Sequence, residues 1–481
     1  MKWAAAFSLL VLVLAPAAVA GGPGMTLGAA EDAVRSPDLV TAKTNMSLLR
    51  LAGFRAVRIT STWVPGAEAP TAAELKILRN VAAAASLNGV RVYVSVYNAG
   101  SRTTPLTPEA LTQFASYAAA LVRAFPSFRD VIVGNEPNLN RFWLPQFGPD
   151  GSDVAAPAYL ELLATAYDAL KAVSPAVTVY GGALAPRGVD RPGTGRDTHS
   201  PTAFIRDLGL AYRASGRTEP VMDAFAHHPY ADSSSQSPDF AHPRSTTIGV
   251  ADYSKLVALL AQAFDGTAQP GSTLPILYDE FGVESVIPAE KASLYTGAEP
   301  ATTKPVSEAT QAEYYRRALE LSFCQANVAG VLFFHSHDEP ALSGWQSGVY
   351  YADGTSKASA TAVRQSLDTA VGGSIARCAG LALSPQPEVL VFPSGRALKK
   401  QPFRVRLRCD LDCVYNLRLE KLPKGSTTLA RRGVAKARVA TVIELPARRL
   451  AGGDYRFTIR LVHPVNPGEP TLRVGGAVRI G

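Results

Sequence analysis

The sequence predicts an α/β protein: a (β/α)8 barrel of the TIM type, followed by a small antiparallel β-sandwich. Two observations point to the barrel. Short apolar runs rich in β-branched residues alternate with helix-like segments eight times between residues 22 and 370. The first run leads out through LGAAEDA at 27–33, which lacks the Gly-rich phosphate turn of a doubly wound open sheet. A third observation points to the sandwich. After about residue 385 the texture changes to alternating apolar and polar residues punctuated by turn residues.

The N-terminal stretch 1–20, MKWAAAFSLLVLVLAPAAVA, has one lysine, an apolar run and then Ala18-Val19-Ala20. That order of charge, apolar core and small residues reads as a secretory signal peptide; the alternative is an uncleaved N-terminal anchor, but the apolar run is shorter than the ~20 residues that span a bilayer. The chain is therefore expected outside the cell, in an oxidising compartment.

The strand-like runs cover 25–30, 56–63, 90–97, 130–136, 177–184, 222–230, 275–282 and 328–336. The helix-like segments cover 38–52, 72–88, 107–124, 157–172, 201–214, 251–264, 307–325 and 356–370. The barrel thus occupies 21–370, more than the ~250 residues such a barrel usually needs, so loops are inserted. Residues 185–200 and 231–250, rich in Pro, Gly, Ser and Asp, follow strands and belong on the C-terminal face, where such barrels build their sites; 283–306 is similar. A linker at 371–387 leads to the sandwich at 388–481.

Composition narrows the class. With 47% hydrophobic and 18% charged residues the chain is globular. The net charge of +8 is uneven: from Arg396 onward 19 Lys and Arg face 6 Asp and Glu, which leaves residues 21–395 at −6. The basic end alternates with apolar residues, as a solvated sheet face does, and is also suited to an anionic cell envelope. It has no tryptophan platform, and nothing indicates specific nucleic-acid binding. Cys324, Cys378, Cys409 and Cys413 allow three pairings; Cys324 with Cys378 and Cys409 with Cys413 keep each bridge inside one domain. None has zinc-site spacing, and no cofactor motif is present.

Two strand ends carry chemistry. The run at 130–136 ends in Gly134, Asn135 and Glu136, and Pro137 stops it because proline cannot donate to a sheet. Glu136 is thereby placed at the barrel mouth, with the Asn135 amide beside it to hold a substrate hydroxyl. The run at 275–282 ends in Asp279, Glu280, Phe281 and Gly282. Two converging carboxylates suit glycosidic cleavage, one protonating the leaving oxygen and one facing the developing oxocarbenium ion. Asp279, adjacent in the strand, is expected to point to the opposite face and make a structural hydrogen bond.

GNEPN at 134–138 together with YDEFG at 278–282 resembles glycoside hydrolase clan A, the retaining (β/α)8 glycosidases that include families 5 and 39. The resemblance spans residues 25 to about 370. It implies that Glu136 is the acid/base, Asn135 a sugar ligand and Glu280 the nucleophile. It also implies a β-linked glycan or β-glycoside as substrate. It places Arg58 near the nucleophile, with His228 and Tyr230 on the His-x-Tyr of strand six. Many members end strand eight with a tryptophan under the sugar; this chain reads LFFHSHDEP, so Phe334, His335 or the later Trp345 is the expected replacement. Independently of the resemblance, Trp63, Trp143 and Trp345 all fall at or just after strand ends, where flat rings stack on sugar faces.

Two other readings remain at this point. A metal-dependent barrel hydrolase would gather His227, His228, His335 and His337, but strand one carries no histidine. A non-catalytic carbohydrate- or envelope-binding protein would keep the barrel and lose the chemistry.

Overall fold

The computed structural model describes residues 21–372, 388–392, 396–397, 402–408, 413–423, 426–436, 439, 441–446, 450–462 and 472–480. The expected signal peptide, most of the linker, Cys378 and Cys409 lie outside the described residues, and with them both disulfide pairings.

Eight parallel strands close a barrel in chain order. They are β1 (Thr26–Ala30), β2 (Ala56–Trp63), β3 (Arg91–Asn98), β4 (Asp130–Val133), β5 (Thr178–Leu184), β6 (Ala224–His227), β7 (Ile276–Phe281) and β8 (Val328–Phe334). The helices are α1 (Leu39–Leu51), α2 (Ala72–Asn88), α3 (Pro108–Ala124), α4 (Ala155–Val173), α5 (Pro201–Ala214), α6 (Tyr253–Phe264), α7 (Glu308–Cys324) and α8 (Ser359–Val371). Their starts follow from local chemistry. Asp38, Thr71, Thr107, Ser200 and Ser307 each accept a hydrogen bond from the third helical N–H. Pro108 and Pro201 occupy the first turn, where no N–H is needed.

Two cores result from the alternation of each strand. Outward-facing residues such as Val57, Ile59, Val94, Val131, Val179 and Phe333 pack against the helices. Inward-facing residues fill the barrel: Ala56, Tyr93, Ile132, Tyr180, Ala183, Ala224, Ala226, Leu277 and Leu332 form a separate buried layer. Tyr93 and Tyr180 meet edge to face there, with ring centroids 5.7 Å apart. This layer supports whatever projects one step further toward the C-terminal mouth: Arg58 above Ala56, Asp279 above Leu277, His228 above Ala226.

The C-terminal domain contains two sheets. One has the order β10-β16-β15-β12-β13, the other β14-β11-β9. The strands are β9 (Glu388–Phe392), β10 (Arg396–Ala397), β11 (Phe403–Arg408), β12 (Cys413–Lys421), β13 (Ser426–Ala435), β14 (Thr441–Leu445), β15 (Gly453–Val462) and β16 (Leu472–Ile480). All pairs are antiparallel except the short β10–β16 contact. Residues from both sheets share one core, including Val405, Leu407, Leu417, Leu419, Ile443, Tyr455, Phe457 and Ile459, so the domain is a sandwich. Among the described residues no helix is long and apolar enough to cross a membrane.

Candidate active site

β4 ends three residues earlier than expected, at Val133. Gly134 then adopts φ 88° and Glu136 φ 41°, both in the left-handed region. Such a φ is costly for a glutamate and persists only where the surroundings hold it. Here the Glu136 N–H donates to the Ala183 carbonyl at 2.8 Å, and the Glu136 carbonyl accepts from Leu139 N–H at 2.9 Å. A side chain at 134 would press on the Tyr159 ring at 3.0 Å. The turn lifts the Glu136 carboxyl over the barrel mouth.

β7 delivers the second carboxylate differently. Leu277 faces the barrel interior, so Asp279 does too. A register shift between Tyr278 and Phe281 then turns Glu280 to the same side. Asp279 therefore does not point to the opposite face. Its Oδ2 lies 3.3 Å from His228 Nε2 and 3.5 Å from Arg58 Nε, fully buried beneath the site.

These groups form one hydrogen-bonded network. Arg58 donates from Nη1 to Glu280 Oε1, and from Nη2 to Asn135 Oδ1 at 2.8 Å and to Ser95 Oγ at 3.2 Å. The Tyr230 hydroxyl donates to Glu280 Oε2 at 3.0 Å. His228 Nδ1 lies 2.9 Å from Glu136 Oε1 and 3.4 Å from Glu280 Oε2. Burial alone would lower the His228 pKa, but the Glu280 and Asp279 carboxylates overcome it and raise it to about 10. The imidazole is thus a cation at neutral pH, donating to Glu136 and Asp279. Burial also raises Asp279, but His228 and Arg58 outweigh it and hold the carboxyl below its usual value. Burial, then the charge of Glu280, raises the Tyr230 hydroxyl well above the usual phenol value, so it remains a donor.

Above the network opens a cleft of about 590 Å³. It contains Arg58, Asn135, Glu136, Tyr230, Glu280, Phe334, His335 and Trp345 of the predicted or expected residues. Tyr230 and Trp345 are nearly stacked, with centroids 4.7 Å apart and planes at 32°; Phe334 meets both edge-on at 6.2 and 5.4 Å. These three rings line one side of the cleft. His335 donates from Nδ1 to the Ala30 carbonyl at 2.6 Å. His228 is buried just below the cleft, acting on it through Glu136 and Glu280.

Trp63 and Trp143 are not part of the site. Trp63 has the opposite parity to the cleft residues Arg58 and Thr60, faces outward, and packs on Phe114 of α3 at 5.7 Å. Trp143 is buried against Tyr159 of α4 at 5.8 Å. Residues 231–250 and 283–306 contribute nothing to the cleft wall, whereas 185–187 and the loop after β8 do.

The cleft also holds residues that the sequence reading missed: Glu31, Asp32, Tyr97, Arg141, Arg187 and Glu339. Glu31 and Asp32 directly follow β1, so the strand-end rule that found Glu136 and Glu280 would have found them. Glu31 accepts from Ser336 N–H at 3.0 Å, Ser336 Oγ at 2.7 Å and His337 N–H at 3.1 Å. Burial would raise its pKa, but His337, His335 and the Ala33 N–H bring it down to about 2.

Glu136, His228 and Glu280 place potential ligand atoms within 4.8 Å of one another. Both His228 nitrogens and both Glu280 oxygens are already engaged within the network. Of the four histidines a metal-dependent hydrolase would gather, only His228 enters this group. His227 Nε2 lies 2.9 Å from the Ile248 carbonyl, and burial lowers its pKa to about 4.

No family model matches the chain, and no curated protein matches its sequence. Solved structures do. A calcium-binding mutant of Bacteroides uniformis beta-glucuronidase 2 is 12% identical with a TM-score of 0.45, over 96% of this chain and 45% of that one. The GH39 enzyme from Xanthomonas axonopodis pv. citri is 16% identical with a TM-score of 0.46, over 89% and 93% of the two chains. GH5_18 from Streptomyces cattleya, in complex with GlcNAc, is 16% identical with a TM-score of 0.48, over 73% and 80%. The chain spans about half the length of the first three structures it matches, at 45%, 56% and 46%. All these TM-scores lie below 0.5, and the functional reading rests on this chain's own residues.

Proposed function

We propose that the protein is a secreted glycoside hydrolase of the clan A type that cleaves β-glycosidic bonds with retention of configuration. One observation carries the reading: an oxygen of Glu136 and an oxygen of Glu280 lie within 4.8 Å of each other at the barrel mouth. Carboxyl groups ~5–5.5 Å apart suit direct attack on the anomeric carbon, whereas inversion needs ~6.5–9.5 Å to admit a water.

The roles follow from the contacts. Glu280 is held at both oxygens by Arg58 and Tyr230, which fix its aim as nucleophile. Protonated Glu136 gives its proton to the leaving oxygen as the carbon–oxygen bond breaks and the Glu280–sugar ester forms. Glu136, now a carboxylate, takes a proton from water, which attacks the same carbon and releases Glu280. Glu136 regains its proton, and two inversions give net retention. His228 bridges both carboxylates from below and keeps their spacing. Asn135, fixed by Arg58, presents its amide to a sugar hydroxyl, and Trp345 with Tyr230 and Phe334 forms the floor.

The signal-like segment 1–20 supports export. In the C-terminal domain Arg418, Arg432, Arg456 and Arg460 are exposed. The register places Arg432 and Arg460 on either side of Asn416, which supports attachment to an anionic cell envelope. Deleting 385–481 and measuring retention on cell walls tests that part.

The catalytic assignment is tested with Glu280→Ala on a panel of chromogenic β-glycosides. Turnover is expected to vanish while the circular dichroism spectrum is kept. Equal activity in the two proteins, or binding of glycans without turnover by the wild type, favours a non-catalytic barrel instead.

A further inference from the structure

The cleft is electrically divided. After β4 and β5 its wall carries Leu139, Phe142 and Pro186 together with Arg141 and Arg187. Arg187 is paired with Asp232 at 3.2 Å. Arg141 is exposed, has no carboxylate partner among the described residues, and lies with its guanidinium carbon 5.4 Å from the centre of the Phe142 ring. After β1 and β8, on the far side of the barrel mouth, the wall carries Glu31, Asp32 and Glu339, with no lysine or arginine.

The proposed hydrolysis gives these two sides different roles, and the substrate class inferred from them rests on that hydrolysis. Glu136 follows β4, so the leaving oxygen and the group it carries lie toward β4 and β5. The sugar attacked by Glu280 then lies toward β8 and β1, over Trp345. We infer that the substrate is a β-glycoside with an uncharged glycone and a leaving group that bears a carboxylate. A guanidinium backed by an aromatic ring matches a planar carboxylate, which accepts two parallel N–H bonds. Leu139, Phe142 and Pro186 cover the apolar part of the same group. On the glycone side the charges of Glu31, Asp32 and Glu339 repel a uronate, so charge also excludes the wrong sugar.

The test compares carboxyumbelliferyl β-glucoside with methylumbelliferyl β-glucoside, which share a sugar and differ in leaving-group charge. Arg141→Glu is expected to lower kcat/KM for the carboxylated probe roughly five- to tenfold, with less than about a twofold change for the methylated one. Arg141→Lys should retain only part of the discrimination, since a point charge replaces the two parallel N–H bonds, and added salt should weaken it further. The same comparison by calorimetry on a Glu280→Ala background reads binding without turnover. An unchanged probe ratio in Arg141→Glu by both measurements overturns the inference. Methylumbelliferyl β-glucuronide cleaved as fast as the glucoside overturns its uncharged-glycone half. Discrimination in binding with no turnover of either probe by the wild type overturns the hydrolase reading and leaves the charge assignment standing.

Discussion

Removing Arg58 is the sharpest perturbation of the site's electrostatics. Arg58 is 5% exposed and sits among Glu280 at 8% and Asp279 at 0%. With His228 it forms two cations against the carboxylates of Asp279 and Glu280. Arg58→Ala leaves His228 alone with both. Taking one partner from a buried ion pair costs about 3–5 kcal/mol, because the remaining charge stays desolvated. At ~2 cal/mol/K of unfolding entropy per residue, the barrel loses roughly 0.7 kcal/mol per degree, so its melting temperature should fall about 4–7 °C. The assay is differential scanning calorimetry of Arg58→Ala, Glu280→Gln and the double variant. Neutralising Glu280 relieves the unpaired charge, so the double variant should be more stable than Arg58→Ala by about 1 kcal/mol or more. A melting temperature unchanged by Arg58→Ala, or a double variant no more stable than the single, refutes the assignment of Arg58 as the charge that balances the two buried carboxylates.

Two further outcomes depend on individual residues. Glu136→Ala should slow hydrolysis of alkyl glycosides roughly 10²–10⁴-fold but spare the first step for dinitrophenyl glycosides, whose leaving group needs no proton. Added azide should restore their turnover; equal losses on both substrates contradict the acid role. Glu284, buried after β7, is pushed up to about 7 chiefly by that burial. Its raised folded pKa means that stability falls as pH rises from about 4.5 through 7, when the unfolded chain gives up a proton that the folded one keeps. Glu284→Gln should therefore be about 3 kcal/mol more stable than wild type at pH 8 and nearly equal at pH 4. Parallel melting curves across that range contradict it.

Most of the barrel was legible because strand and helix periodicities differ and the turn residues are strong. β2 spans 56–63 and α2 spans 72–88, as the pattern predicts. Glu136 and Glu280 were legible because strand ends on one face of a barrel converge, wherever they lie in the chain. Illegible were departures from simple alternation. The register shift in β7 brings Asp279 and Glu280 to the same side, so adjacency did not separate them. Position along β2 puts Trp63 at the mouth, but parity turns it outward, since Arg58 and Thr60 define the inward face of the strand. Trp143 was not readable, because a loop after β4 carries no period to orient its side chain. Arg141 and Glu339 lie on such loops too.

The central claim is that Glu136 and Glu280 act together by double displacement. Proton NMR of the reducing sugar at the earliest times, before mutarotation, tests it most directly on whichever β-glycoside the protein cleaves fastest. Carboxyl oxygens within 4.8 Å predict that the β-anomer appears first and the α-anomer grows in only as the solution equilibrates. An α-anomer formed first would mean a single inverting displacement, and the nucleophile role of Glu280 would be wrong.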